Sequence, residues 1–174
     1  MPRGIVYISY GMGGASIELW NTGLRQLIAR CKAAGFDTRN SPYEWNAYNT
    51  IINDINFHTP ADAPIAAGGA SLGDDYATTI ASRVKRKIVY LFGFQDSTWA
   101  PTVAVTSNVL VADNIYNPSW WQTMGLGSGQ WHLAAGNTVT KLRNIPIYAP
   151  HPDDWGVAQD IVFAQIHKLL AGTA

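Results

Sequence analysis

Two kinds of apolar pattern take turns along the chain. The first is short, continuous and β-branched: residues 5–10 (Ile-Val-Tyr-Ile-Ser-Tyr), 64–68, 87–92, 108–112 and 145–149. Runs of that length, bounded by turn residues, predict strands buried on both faces. The second has helical spacing. Ile17, Trp20, Leu24, Leu27, Ile28 and Cys31 share one face, with Ser16 placed as an N-cap and Gly35 as a stop. Tyr48, Ile51, Ile52 and Ile55 mark a second helix that ends near His58-Thr59-Pro60. Leu72, Tyr76, Ile80 and Val84 mark a third, beginning at about Ser71, and Val162, Ile166, Leu169 and Leu170 a last one. Residues 36–39 predict one more short strand before the turn at Asn40-Ser41-Pro42.

Strands this apolar, separated by helices, pair in parallel through right-handed crossovers. The prediction is a doubly wound α/β sheet of about six mostly parallel strands, built by residues 1–174 as a single domain. Residues 113–144 carry no clear period. That is longer than an ordinary connection, which points to a functional or lid-like segment.

Composition narrows the field. Twelve Lys and Arg balance twelve Asp and Glu among 174 residues, so no basic face for nucleic acid is expected. The single cysteine, Cys31, excludes an internal disulfide framework and a multi-cysteine zinc site. No apolar run approaches the length of a membrane span. The N-terminus enters an apolar run without a signal-peptide pattern, so a cytoplasmic protein is expected, and release by another route such as phage lysis fits equally.

The chemistry centres on Gly69-Ala70-Ser71-Leu72-Gly73, a G-x-S-x-G pattern between a strand-like and a helix-like run. That context is what a nucleophile elbow requires: a turn too tight for neighbouring side chains, which lifts Ser71 above the sheet edge at a helix N-terminus. The competing reading is a glycine-rich turn whose serine caps its helix. Tyr10-Gly11-Met12-Gly13-Gly14 follows the first strand, where backbone N–H groups can be aimed at a developing oxyanion. Leu72 and Met12 are the candidate donors. The spacing lacks the dinucleotide and Walker signatures.

A base must follow the serine. His151, in Ala149-Pro150-His151-Pro152, comes directly after the last strand and is preferred to His132. For the acid that orients it, Asp113 after Val109-Leu110-Val111-Ala112 is the first choice and Asp96 the second. Either aspartate could instead be an ordinary turn residue. Trp120, Trp121 and Trp131 lie between the elbow and His151, placed to line a substrate pocket or simply to fill the core.

This order of features resembles the α/β-hydrolase superfamily, and within it the compact cutinase-like serine esterases. Ala149-Pro150-His151, followed by an aspartate-containing loop and an amphipathic helix, is similar to the cutinase histidine region. The chain departs from cutinases in its single cysteine and in the longer gap from Asp113 to His151. Tyr116-Asn117-Pro118-Ser119-Trp120-Trp121 resembles a Trp-rich segment of phage-encoded cell-envelope esterases. The resemblance implies a Ser71, Asp113, His151 triad that hydrolyses a small-molecule, lipid or cell-envelope ester through an acyl-enzyme, with no metal or organic cofactor. The rival reading is a non-catalytic protein of the same fold that serves a structural or partner-binding role.

Overall fold

The computed structural model describes residues 3–11, 22–94, 104–118, 129–148 and 155–172. Six strands, β1 (Ile5–Tyr10), β2 (Tyr43–Glu44), β3 (Ile65–Ala70), β4 (Ile88–Phe94), β5 (Val109–Tyr116) and β6 (Lys141–Pro146), form one sheet in the order β2-β1-β3-β4-β5-β6. Every pair in it is parallel.

Helices α1 (Thr22–Ala33) and α4 (Trp155–Ala171) cover one face. Leu24, Leu27, Val162 and Ile166 pack there on Val6, Ile8, Tyr90 and Phe92. Helices α2 (Tyr48–Asn53), which runs on into a π-helical turn at Asp54–His58, and α3 (Leu72–Arg83) cover the other. Ile51, Ile55, Ala77 and Ile80 meet Ile5, Tyr7, Ile65 and Leu91 on that side. Two apolar layers on one sheet explain why β1 and β3 are buried at every position.

Several boundaries differ from the sequence reading. The strand expected at 36–39 is reduced to a single bridge, Asp37 with Ile5, and β2 forms after the turn instead. The strand expected to stop at Ala112 continues to Tyr116, because Asp113 and Asn114 find buried polar partners and keep the ladder going. The last strand starts four residues earlier than its apolar run, since Lys141 and Arg143 stand on the sheet's edge, where charge is tolerated. Gly35, at φ 85, ends α1 as expected. The crossover from β5 to β6 is partly ordered by Asn137, which donates to the Val105 carbonyl and to Thr140 Oγ1.

Candidate active site

Ser71 is the residue between β3 and α3. Its backbone sits at φ 53, ψ −125, in the left-handed half of conformational space that an L-residue enters only under constraint. The constraint is visible on both sides. The Ser71 N–H continues the ladder to the Phe94 carbonyl at 2.9 Å, while its own carbonyl already receives the N–H groups of Asp74 and Asp75. One residue must therefore turn the chain from strand to helix. Its hydroxyl makes no capping bond to the helix, which removes the reading of a simple N-cap serine.

The flanking glycines are required by contact. A Cβ on Gly69 would stand 2.5 Å from Ser9 Oγ, 2.6 Å from the Ser9 carbonyl oxygen and 2.7 Å from the Gly73 carbonyl carbon; one on Gly73 would stand 2.7 Å from the Ser9 carbonyl oxygen. The elbow is thus packed against β1, whose Ser9 hydroxyl donates to the Gly68 and Gly73 carbonyls at 3.3 and 3.2 Å. Gly11, just past β1, lies against the serine side chain: a Cβ there would be 3.0 Å from Ser71 Oγ. Its successor Met12, one of the two oxyanion donors expected from sequence, lies outside the described residues. Leu72, the other, is the first residue of α3 and is buried.

Asp113 lies within β5, facing Phe92 on β4 and Arg143 on β6, rather than at a strand end. Phe92 in turn pairs with Gly68, so Asp113 is level with a point three residues before Ser71, roughly 10 Å back along the sheet. Its carboxylate is fully buried. Arg143 donates to both oxygens, Nε to Oδ1 at 2.7 Å and Nη2 to Oδ2 at 2.5 Å, and the Tyr90 hydroxyl donates to Oδ2 at 2.9 Å. Burial first, and the neighbouring carboxylate second, hold the Tyr90 phenol well above its ordinary pKa of 10.0.

Trp131 is 1 % exposed and belongs to the core on the α3 side. The structure gives its ring a packing role. Its N–H and carbonyl are both held by the Asn144 side chain, at 2.9 and 3.0 Å. His132 follows it on a segment running toward the start of β5, where Val105 donates to the His132 carbonyl at 2.8 Å and bridges Leu133. That course leads away from the sheet edge carrying Ser71. His58 and His167 are exposed, on the π turn and on α4. His151, Asp96, Trp120 and Trp121 lie outside the described residues. No cluster of three metal-binding side chains occurs among the described residues, and none of their helices is long and apolar enough to cross a membrane.

The chain is similar to a solved structure from Xanthomonas campestris pv. campestris, described as a candidate hydrolase of the α/β superfamily. The two share 12% sequence identity and a TM-score of 0.57, over 97% of this chain and 100% of the other. The fold is an α/β-hydrolase fold. No protein-family model and no curated protein sequence matches the chain.

Ser71 stands at the carboxyl edge of β3, which is third of the six strands. Two features of the site are not announced by the motif. Asp74, three residues past Ser71, is fully buried against Gly93, where a Cβ would come within 2.1 Å of Asp74 Oδ1. Trp45 follows β2 at the same edge. The first turn of α3 puts Asp74 beside Ser71, its N–H on the Ser71 carbonyl, whereas Trp45 reaches that edge only through the sheet order.

Proposed function

We propose that the chain is a serine hydrolase that cleaves carboxylic esters through an acyl-enzyme on Ser71. One observation carries the reading: a non-glycine residue held at positive φ between strand and helix, with a hydroxyl not used for capping and Gly11 leaving room beside it. Such strain persists where surrounding packing enforces it, and it clusters at sites of chemistry.

In this reading His151 accepts the Ser71 proton as Oγ attacks the ester carbonyl. The N–H groups of Leu72 and Met12 bind the oxyanion. His151 returns the proton to the departing alcohol, then takes one from water as it attacks the acyl carbonyl, and passes that proton to Ser71 Oγ as the acid leaves. We assign the orienting carboxylate to Asp96. Both oxygens of Asp113 are engaged by Arg143 and Tyr90, so Asp113 would have to abandon a buried ion pair to serve an imidazole. Chain order points the same way: residues 117–150 contain no Asp or Glu, and Asp96 is the one carboxylate between the ends of β4 and β5's start.

A fluorophosphonate probe tests the reading. Labelling is expected in the wild-type chain and absent in Ser71→Ala. His151→Ala and Asp96→Asn should each lower ester turnover by at least a hundredfold, and His132→Ala by less than threefold. A folded wild-type chain that takes no label supports the non-catalytic reading, and Asp113→Asn hurting turnover more than Asp96→Asn at equal stability returns the acid to Asp113.

A further inference from the structure

A ladder of aromatic rings leads away from the elbow. Trp45 stacks on Tyr76 with centroids 5.7 Å apart and planes at 28°, and Tyr76 stacks on Tyr48 at 4.5 Å and 8°. The Arg83 guanidinium closes the far end, 5.7 Å from the Tyr48 centroid. Tyr76 is thus in ring contact with both Trp45 and Tyr48. Trp45 is the terminal ring, partly exposed, with Tyr76 as its ring partner among the described residues.

Core packing does not account for that end of the ladder. Tyr48 and Ile52 pack on the hydrophobic cluster beneath α2 and α3, whereas Trp45 and Tyr76 are not part of it. An indole fixed by stacking but left partly in water is a preorganised flat surface.

Its position ties it to Ser71. Ser9 pairs with Tyr43 on one side and Gly69 on the other, so Trp45 and Ser71, each two residues further on, leave the sheet at one level and one edge. Two strand spacings separate the paired residues, about 10 Å. The exposed polar residues next to Trp45 in the chain are Glu44, whose carboxylate accepts from hydroxyls and disfavours an anionic ligand, and the amides Asn46 and, four residues on, Asn49.

We propose that Trp45 is a substrate-positioning residue that stacks on a sugar ring of a neutral glycan whose O-acyl group is cleaved at Ser71. A pyranose ring offers an apolar C–H face to the indole and hydroxyls at its rim to Asn46 and Asn49, and the separation suits a ring one or two residues along from the esterified one. A flat aromatic acyl group would use the indole but leave the amide rim unemployed. The proposal rests on Ser71 being the nucleophile.

The test compares mono-O-acetylated cellotetraose with ethyl acetate, which has the same acyl group and no ring. Trp45→Ala should lower the ratio of their kcat/KM values at least tenfold, mainly through KM on the glycan, and Trp45→Tyr should restore the ratio to within threefold. An unchanged ratio overturns the proposal. So does an equal loss on p-nitrophenyl acetate relative to ethyl acetate, since the surface would then accept any flat ring. Calorimetry with unesterified cellotetraose separates the two readings. Ser71→Ala should bind it and Ser71→Ala/Trp45→Ala should not, even if the wild-type chain hydrolyses neither ester; no binding by Ser71→Ala overturns the proposal whatever the chemistry.

Discussion

Replacing Gly69 by alanine adds one methyl group where β3 is pressed against β1 and α3. The new carbon would lie 2.5 Å from Ser9 Oγ, 2.6 Å from the Ser9 carbonyl oxygen and 2.7 Å from the Gly73 carbonyl carbon. Ordinary van der Waals contact begins nearly an ångström further out. The hydroxyl of Ser9 can rotate away, but two of the three atoms are backbone, one in a central strand and one in the elbow helix. Relief therefore requires β1 and α3 to move apart. Overpacking of this kind costs about 1–3 kcal/mol, which for a chain of 174 residues corresponds to a fall in Tm of roughly 2–12 °C.

Gly35→Ala is the contrast. It meets nothing within 4 Å and changes only a left-handed backbone position at φ 85, so a loss near 1 kcal/mol is expected. Differential scanning calorimetry on the three proteins decides the matter, with ester turnover measured alongside. Gly69→Ala should melt lower than Gly35→Ala and lose most of its turnover, because the displaced segment carries Ser71. A Gly69→Ala protein that melts within 1 °C of wild type would refute the steric account of the motif.

The buried ion pair makes a second expectation. Arg143→Ala leaves a fully buried Asp113 carboxylate with only the Tyr90 hydroxyl, and should cost about 3–5 kcal/mol in urea unfolding. Asp113→Asn leaves instead an arginine whose side chain is 47% exposed and able to reach water, so the loss should be smaller; the opposite order would count against a structural role for the pair. Alkaline pH gives a third. Burial raises the Cys31 thiol from 9.0 to about 12, and burial with Asp54 raises the Tyr7 phenol from 10.0 to about 12. Above pH 9 the unfolded chain then holds fewer protons than the folded one, so stability falls as pH rises toward 12, by up to about 1.4 kcal/mol per unit for each group. Urea midpoints at pH 8, 9, 10 and 11 should be level over the first interval and decline afterwards, and Cys31→Ala should delay the decline by about one unit; a flat series to pH 11 contradicts the assignment.

The sheet was legible because its strands are buried on both sides and announce themselves as unbroken apolar runs. Ile5 to Tyr10 and Ile88 to Phe94 needed no further context. Edge strands follow other rules. β2 has two residues, and β6 begins with Lys-Leu-Arg-Asn, a pattern that reads as loop until Asn114 and Asp113 supply partners for Asn144 and Arg143 from the neighbouring strand. The tight strand-to-helix turn at residues 69–73 was legible for a steric reason, since a Cβ at Gly69 or Gly73 would meet the Ser9 backbone. The place of Asp113 inside β5 was not legible, because a polar residue after four apolar ones resembles a strand end and its partners, Tyr90 and Arg143, are 23 and 30 residues away. Trp45 went unremarked, and Tyr76 was read only as part of a helix's apolar stripe, for the same reason: their stacking joins elements far apart in the chain.

The backbone of Ser71 carries one more implication, for the history of this chain. Glycine occupies positive φ at no penalty, whereas serine at φ 53 concedes on the order of 1–3 kcal/mol. Drift under selection for robustness alone would favour a glycine there, making the tract Gly-Ala-Gly-Leu-Gly. A serine there carries a standing handicap in durability that a glycine would not.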